Sequence, residues 1–472
     1  MNFNTALFLF LFLPFFLITY FFAQPRWRPI LGIFASLLFY AWGNAFNLIW
    51  IFGLIVFNYW LGLRLNTKPA KWILPFGLFV NIGALVFFKL FIVYGMEMFL
   101  GLGAYFPERI VARMNALTFP LGLSYISFQL VSYLIDAHKG MVKPEKNFVA
   151  FAFYVLMFPK LLVGPIVRYR TLADHLPAPA LDANQIADGI RRFLRGFAKK
   201  ILIADMLAKT VDAAFGMPVA ALTPLIGWLV LIGYALQIYY DFSGYTDMAI
   251  GLAGMLGFRF IENFNYPYIA QSVGDFWRRW HISLSSWFRD YVFYPLERRR
   301  LPVFGQSLNI LIVFLLTGLW HGATINFVIW GLLHGCFIAL EGLFLGRWLQ
   351  KAFRPLRHVY ALSAILLTWL IFRAPSLEYA FEFLRLLTGN IHDHIPLSFY
   401  DTSPLPFIEP SFLIAFGAGI LFSLPIVPAM QKRFEASFVF RVADDLMLAT
   451  LFVFSVGVMT SSNFLPGIYA NF

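Results

Sequence analysis

Four stretches of this chain place groups that can move protons or bind anions inside otherwise apolar sequence. An ionised side chain at mid-bilayer costs about 2.5–3.5 kcal/mol on insertion scales, so such groups need a partner or a water-filled cavity. The first stretch, Leu315–Leu333, reads LLTGLWHGATINFVIWGLL and holds His321 between Trp320 and Gly322. Neutral imidazole offers both a donor and an acceptor and titrates near neutrality. His321 could remove a hydroxyl proton as a general base, or act as a nucleophile that carries an acyl group. The competing reading is a structural histidine bonded to a neighbouring helix. Gly318 and Gly322 would let a substrate or another backbone come close.

The second stretch, Phe276–Leu296, reads FWRRWHISLSSWFRDYVFYPL. It is too polar to cross lipid unaided and should face a cavity or an interface. His281 could position a substrate or assist His321, and Arg278 and Arg279 could grip a phosphate or carboxylate bidentately. An interfacial helix with lipid-facing arginines is the plainer alternative. The third, YYDFSGY at Tyr239–Tyr245 followed by Thr246-Asp247, sets Asp241 and Asp247 beside Ser243-Gly244. Too few partner ligands lie nearby for a metal site. Asp241 is expected to orient a histidine or pair with an arginine, the alternative being a structural kink. In the fourth, FPKLLVGPIVRYR at Phe158–Arg170, Gly164 and Pro165 predict a broken helix, and Lys160 is expected to snorkel to the interface.

The elements that carry these groups must be membrane helices. Of 472 residues, 60% are hydrophobic and 13% charged, and the mean hydropathy is +0.73. Soluble domains average about 45–50% apolar and about 25% charged. Crossing the hydrocarbon core takes about 20 apolar residues. Apolar runs from Leu7–Phe22 to Leu446–Val458 predict an all-α, multi-pass fold of about eleven crossings. Runs such as Leu31–Tyr40, Thr246–Leu256 and Leu308–Leu319 are short, so re-entrant or interfacial helices are expected as well. The first run lacks a positive n-region and is too long for a secretory signal, so it reads as a helix entering with its N-terminus outside.

The net charge of +12 raises the possibility of nucleic-acid binding. Its clustering in short loops excludes that and fits the positive-inside rule and anionic lipid. Clusters around Arg64–Lys71, Lys139–Lys146, Arg347–Arg357 and Lys432–Arg441 read as cytoplasmic; the Gly389–Pro410 loop, with acids and no Lys or Arg, reads as external. Between Leu181 and Leu207, Ile186, Ile190, Phe193, Phe197 and Ile201 recur at helical spacing, opposite Arg191, Arg192, Arg195, Lys199 and Lys200. This predicts an amphipathic helix on the cytoplasmic surface, anchored to lipid or docking a cytosolic acyl donor. Cys336, the lone cysteine, reads as a buried thiol, and His392 and His394 as solvated loop residues. No dinucleotide, Walker, zincin or serine-elbow motif is present. No internal repeat or soluble segment is visible, and residues 1–472 read as a single integral membrane domain.

At its polar stretches the chain resembles the membrane-bound O-acyltransferase family, in the bacterial branch that acetylates alginate-type polysaccharides or transfers D-alanine. The matching blocks are FPKLLVGPI at 158–166, YYDFSGYTDMAIGLAGMLGFRFIENFNYPY at 239–268, DFWRRWHISLSSWFRDYVFYPL at 275–296 and TGLWHGATINFVIWGLLHG at 317–335. Their order and spacing match as well. The resemblance implies a ring of helices thinned around a central cavity. It makes His321 the essential histidine and His281 a second functional position, with Trp320, Asp241, Arg278 and Arg279 in binding or supporting roles. It implies no bound cofactor and no metal, acetyl-CoA as the donor substrate, and residence in a bacterial inner membrane among lipid. The acceptor would be an exported polysaccharide such as alginate or cellulose, reached through an extracytoplasmic acetyltransferase or carrier protein. Rival readings are D-alanyl or peptidoglycan acyl transfer by the same fold, and a non-enzymatic acyl or glycan transporter. One departure from the family pattern is Glu297-Arg298-Arg299-Arg300 where many relatives carry a glycine turn.

Overall fold

The computed structural model describes residues 1–67, 71–102, 119–298, 305–389, 408–434 and 437–461. Helix is the only regular structure among them. His392, His394, Arg299, Arg300 and most of the Gly389–Pro410 loop lie outside the described residues. Among the described residues, six helices are long and apolar enough to cross a membrane, or seven if the bent pair Pro410–Phe422 and Ile426–Phe434 forms one span. Large apolar side chains along these helices, Phe79, Phe344 and Phe454 among them, are exposed, as a lipid-facing surface requires. The helices group into two compact units. One comprises residues 1–190 and 249–261, the other residues 191–248 and 262–471.

In the first unit, the helix Leu123–His138 is buried along almost its whole length. Its apolar residues and its polar ones, Ser124, Ser127, Gln129, Ser132 and Asp136, are buried alike, so it lies in the core of this unit. Asn58 and Asn81 exchange reciprocal side-chain hydrogen bonds of 3.0 and 2.8 Å between two neighbouring spans. Phe148–Leu156 stops at Met157, a short turn, Phe158–Leu161, follows, and Gly164 and Pro165 lie in the irregular chain after it, so the predicted break is present. Lys160 corrects its expectation: it is fully buried and does not snorkel. Its ammonium donates to the Gln129 carbonyl oxygen and lies 4.5 Å from the Tyr154 ring centre. Ring and amide replace the water that a snorkelling lysine would seek.

The second unit holds most of the expected chemistry. The sequence predicted two runs divided by a kink at Ser243-Gly244, but Pro224–Met255 is one continuous helix. Gly244 serves close approach instead: a Cβ there would lie 2.8 Å from the Gly196 carbonyl oxygen. Helices Gly305–His321 and Ile325–Leu340 form a tight antiparallel hairpin closed by a three-residue turn. A Cβ on Gly318 would meet the Phe327 oxygen at 2.3 Å, and one on Gly331 the Phe314 oxygen at 2.3 Å, so both positions need glycine. Cys336, expected buried, is exposed.

Candidate active site

His321 is the last residue of its helix. The carbonyl end of a helix carries partial negative charge, which stabilises the imidazolium formed when a histidine takes up a proton. Rings enclose the imidazole. Trp330 lies 5.0 Å away and Phe372 5.3 Å, both edge-on, and Phe327 and the adjoining Trp320 lie at 6.3 and 4.7 Å. Asn326 fixes one of these walls. Its amide donates 2.8 Å to the Ala374 oxygen, at the end of the helix Arg354–Arg373 that presents Phe372. His321 is 5% exposed, so a reacting group beside it is shielded from bulk water.

His281 sits between two short helices, Val273–Arg279 and Ile282–Phe288, with φ +45°. A left-handed backbone at a residue other than glycine is costly and persists where surrounding structure imposes it, often at functional sites. Here Asn263 imposes it. The backbone oxygen of Asn263 accepts from Ile282 N at 3.0 Å, and its side-chain Oδ1 accepts from Ser283 N at 3.1 Å and Ser283 Oγ at 2.9 Å. A backbone N–H can only donate, which fixes the asparagine amide with its oxygen inward. His281 Nδ1, 3.2 Å from the same oxygen, must therefore carry the ring proton. That leaves the lone pair on Nε2, which is buried and has no protein partner among the described residues. Nε2 of His281 is therefore oriented to accept a hydrogen bond.

Trp320 links the two histidines, with its ring 6.2 Å from His281 and 4.7 Å from His321. Phe242 packs edge-on against the other side of His281 at 4.6 Å. Three of the expected residues, His321, His281 and Trp320, thus share one aromatic enclosure.

The other three do different work. Asp241 was expected to meet a histidine or an arginine, but the partner found is a lysine: Lys200 Nζ lies 2.6 Å from Asp241 and 2.6 Å from Asp205. Burial opposes the Lys200 ammonium, yet the two carboxylates outweigh it and hold its pKa above the ordinary lysine value. Arg278 and Arg279 both turn to Asp275, at 3.6 and 3.2 Å, and Arg278 is mostly exposed. Both thereby pair with a carboxylate of their own helix.

In the amphipathic helix Ala183–Ala198, expected to anchor to lipid or dock an acyl donor, the basic side meets carboxylates of the protein. Arg191 pairs with Asp445 at 2.7 Å and Arg195 with Asp444 at 2.5 Å. Arg192 bridges Asp247 and Glu262, and Lys199 pairs with Asp247 at 2.7 Å. These carboxylates lie tens to hundreds of residues away in sequence, so helical periodicity alone could not reveal them. Asn263 was missed for a similar reason. It lies inside one of the family-like blocks, but nothing in its spacing tied it to His281.

The described residues thus form an apolar multi-helix body that encloses a pair of histidines. The sequence profile described as MBOAT, membrane-bound O-acyltransferase family, matches residues 125–381. The chain is 41% identical over 389 residues to a protein named probable alginate O-acetylase AlgI from Azotobacter vinelandii, covering 81% of this chain and 77% of that one. It is 33% identical over 427 residues to a peptidoglycan O-acetyltransferase of Helicobacter pylori, covering 82% and 80%. A teichoic acid D-alanyltransferase of Bacillus subtilis matches at 32% over 271 residues, covering 54% of this chain and 67% of that one. The chain belongs to the membrane-bound O-acyltransferase family.

Proposed function

We propose that this protein is an O-acetyltransferase that moves acetyl groups from cytosolic acetyl-CoA to the hydroxyls of an exported polysaccharide of the alginate type. The carrying observation is the shared enclosure: His321 at the negative end of its helix, one tryptophan ring from the lone-pair nitrogen of His281. An acceptor hydroxyl loses its proton to His321 as its oxygen bonds to the thioester carbonyl carbon. The C–S bond then breaks, and the departing thiolate takes that same proton back from His321, directly or relayed through Nε2 of His281, and leaves as the free thiol. Rings around His321 keep water from hydrolysing the thioester.

In this reading the chain works as one membrane domain of about eleven crossings. They ring a central cavity in the bacterial inner membrane, and an extracytoplasmic acetyltransferase or carrier protein completes delivery to the polymer. The names of the Azotobacter and Helicobacter relatives support acetyl as the cargo, and that of the Bacillus relative keeps D-alanine as the rival on the same fold.

The test supplies radiolabelled acetyl-CoA to membranes from cells that express the full chain and carry the polysaccharide machinery, with mass spectrometry of the exported polymer. Wild type transfers label and His321→Ala does not, at equal membrane abundance. Label retained by the polymer in His321→Ala refutes the site. A polymer bearing alanyl esters and no acetyl refutes the cargo. Label bound covalently to wild-type protein and absent from His321→Ala identifies His321 as the acyl carrier in place of the base.

A further inference from the structure

A third histidine, His334, is fully buried and takes no part in the reaction proposed above. It lies on the helix that runs continuously as Ile325–Lys351 and forms the second arm of the His321 hairpin. The indole N–H of Trp277 donates to His334 Nδ1 at 3.2 Å. An indole can only donate, so Nδ1 accepts and the ring proton resides on Nε2, the reverse of His281. Trp277 belongs to the helix Val273–Arg279 that ends two residues before His281. Trp330, one turn before His334, packs on His334 at 4.9 Å and on His321 at 5.0 Å.

Seven residues beyond His334, two helical turns along the same face, lies Glu341. Its carboxylate accepts from Val273 N at 2.6 Å and Gly274 N at 2.9 Å, which capture the first N–H groups of that same short helix. Tyr360 steadies the carboxylate from a third helix with a hydroxyl donated at 3.1 Å. One helix face therefore holds the His281-bearing segment at its start, through Glu341, and near its end, through His334. The same helix packs Trp330 against His321.

We infer that His334 and Glu341 are positioning residues that set the separation of His281 and His321 by clamping Val273–Arg279 onto the hairpin. The inference rests on the reading of those two histidines as the reacting pair. Neither positioning residue meets substrate. Each acts through the placement of another group, and a misplacement of about 1 Å at a reacting group costs on the order of 100-fold in rate.

The experiment measures kcat and the acetyl-CoA KM in membranes for His334→Leu, His334→Asn, Trp277→Phe, the Trp277→Phe/His334→Leu double variant and Glu341→Gln, with His321→Ala alongside. The expected result is a roughly 10- to 100-fold loss in kcat for His334→Leu and Trp277→Phe, with KM unchanged. The double variant should be no slower than either single, since both remove one bond. His334→Asn, whose Oδ1 stands where Nδ1 accepted, should recover most of the rate. Full kcat in His334→Leu while His321→Ala is inactive overturns the clamp, as do equal losses in His334→Leu and His334→Asn. Activity persisting in His321→Ala instead refutes the site on which the clamp acts. Should His334→Leu fail to accumulate, Trp277→Phe, which leaves His334 in place, and Glu341→Gln give the same kcat readout. A full rate in both then overturns the proposal.

Discussion

The surroundings of His321 and those of Lys200 solve opposite problems with opposite materials. His321 is enclosed by rings from three helices, so a charge that develops on it sits in a medium of low polarisability. Lys200 is as deeply buried, yet it is met by two carboxylates at 2.6 Å. Around it, Arg191, Arg192, Arg195 and Lys199 are matched by acids as well. The first environment resists any lasting charge, so one can exist there only transiently; the second neutralises charges that are always present. Ionic pairing here fastens a helix to the protein, and the aromatic enclosure shields the histidine from water.

Exchanging the two kinds of damage tests that division most strongly. His321→Ala should reduce acetyl transfer by about 10²- to 10⁴-fold, the range general acid–base catalysis supplies, while the unfolding temperature in detergent stays near wild type. A large fall in that temperature would show the imidazole to be a structural element of the hairpin.

Lys200→Met should do the reverse. It strands Asp205 and Asp241 in a buried place, which costs about 3–5 kcal/mol of stability by analogy with other broken buried pairs. Activity per folded molecule should persist. Adding Asp205→Asn and Asp241→Asn removes the stranded charges and should restore much of the lost stability, as read by denaturant midpoint. If the triple variant is no more stable than Lys200→Met, the cluster is not held by its charges.

Asn263→Ala lies between these extremes. It removes the oxygen that holds the His281 proton on Nδ1 and braces a left-handed backbone. A roughly 10- to 100-fold loss in kcat is expected, with the donor KM unchanged. A change confined to KM would make Asn263 a part of substrate binding.

Much of this was visible in the sequence because the candidate groups violate their context. A histidine between apolar halves, as in GLWHGATINF, is conspicuous, and so is the WRRWHIS segment. The all-helical membrane fold followed from composition and run length for the same reason. What sequence could not give was partnership. Lys160 looks like a snorkelling residue until Gln129 and Tyr154 are seen around it. Asp241 looks like a histidine partner until Lys200 arrives from a helix forty-one residues earlier. The Arg191–Lys200 stripe has the pattern of a lipid-facing surface because periodicity reports that one side is charged, not what lies opposite it. Gly244 resembled a kink for a similar reason: a glycine needed for close helix approach and one needed for a bend look alike without the neighbour.

The outer edge of the ionic cluster gives the smallest effect and the finest test of how far the comparison extends. Arg191 and Asp445 meet at 2.7 Å with both side chains substantially exposed. Such pairs contribute about 0.2–1 kcal/mol, since water solvates the separated charges nearly as well. Screening within about 10 Å at 0.1 M salt weakens them further. Arg191→Ala should therefore lower the unfolding midpoint slightly at low salt and not at all near 1 M, whereas the Lys200→Met deficit, being buried, should survive high salt. Equal salt sensitivity in the two variants would mean that water reaches Lys200, and the division between a sealed inner cluster and a solvated rim would have to be redrawn.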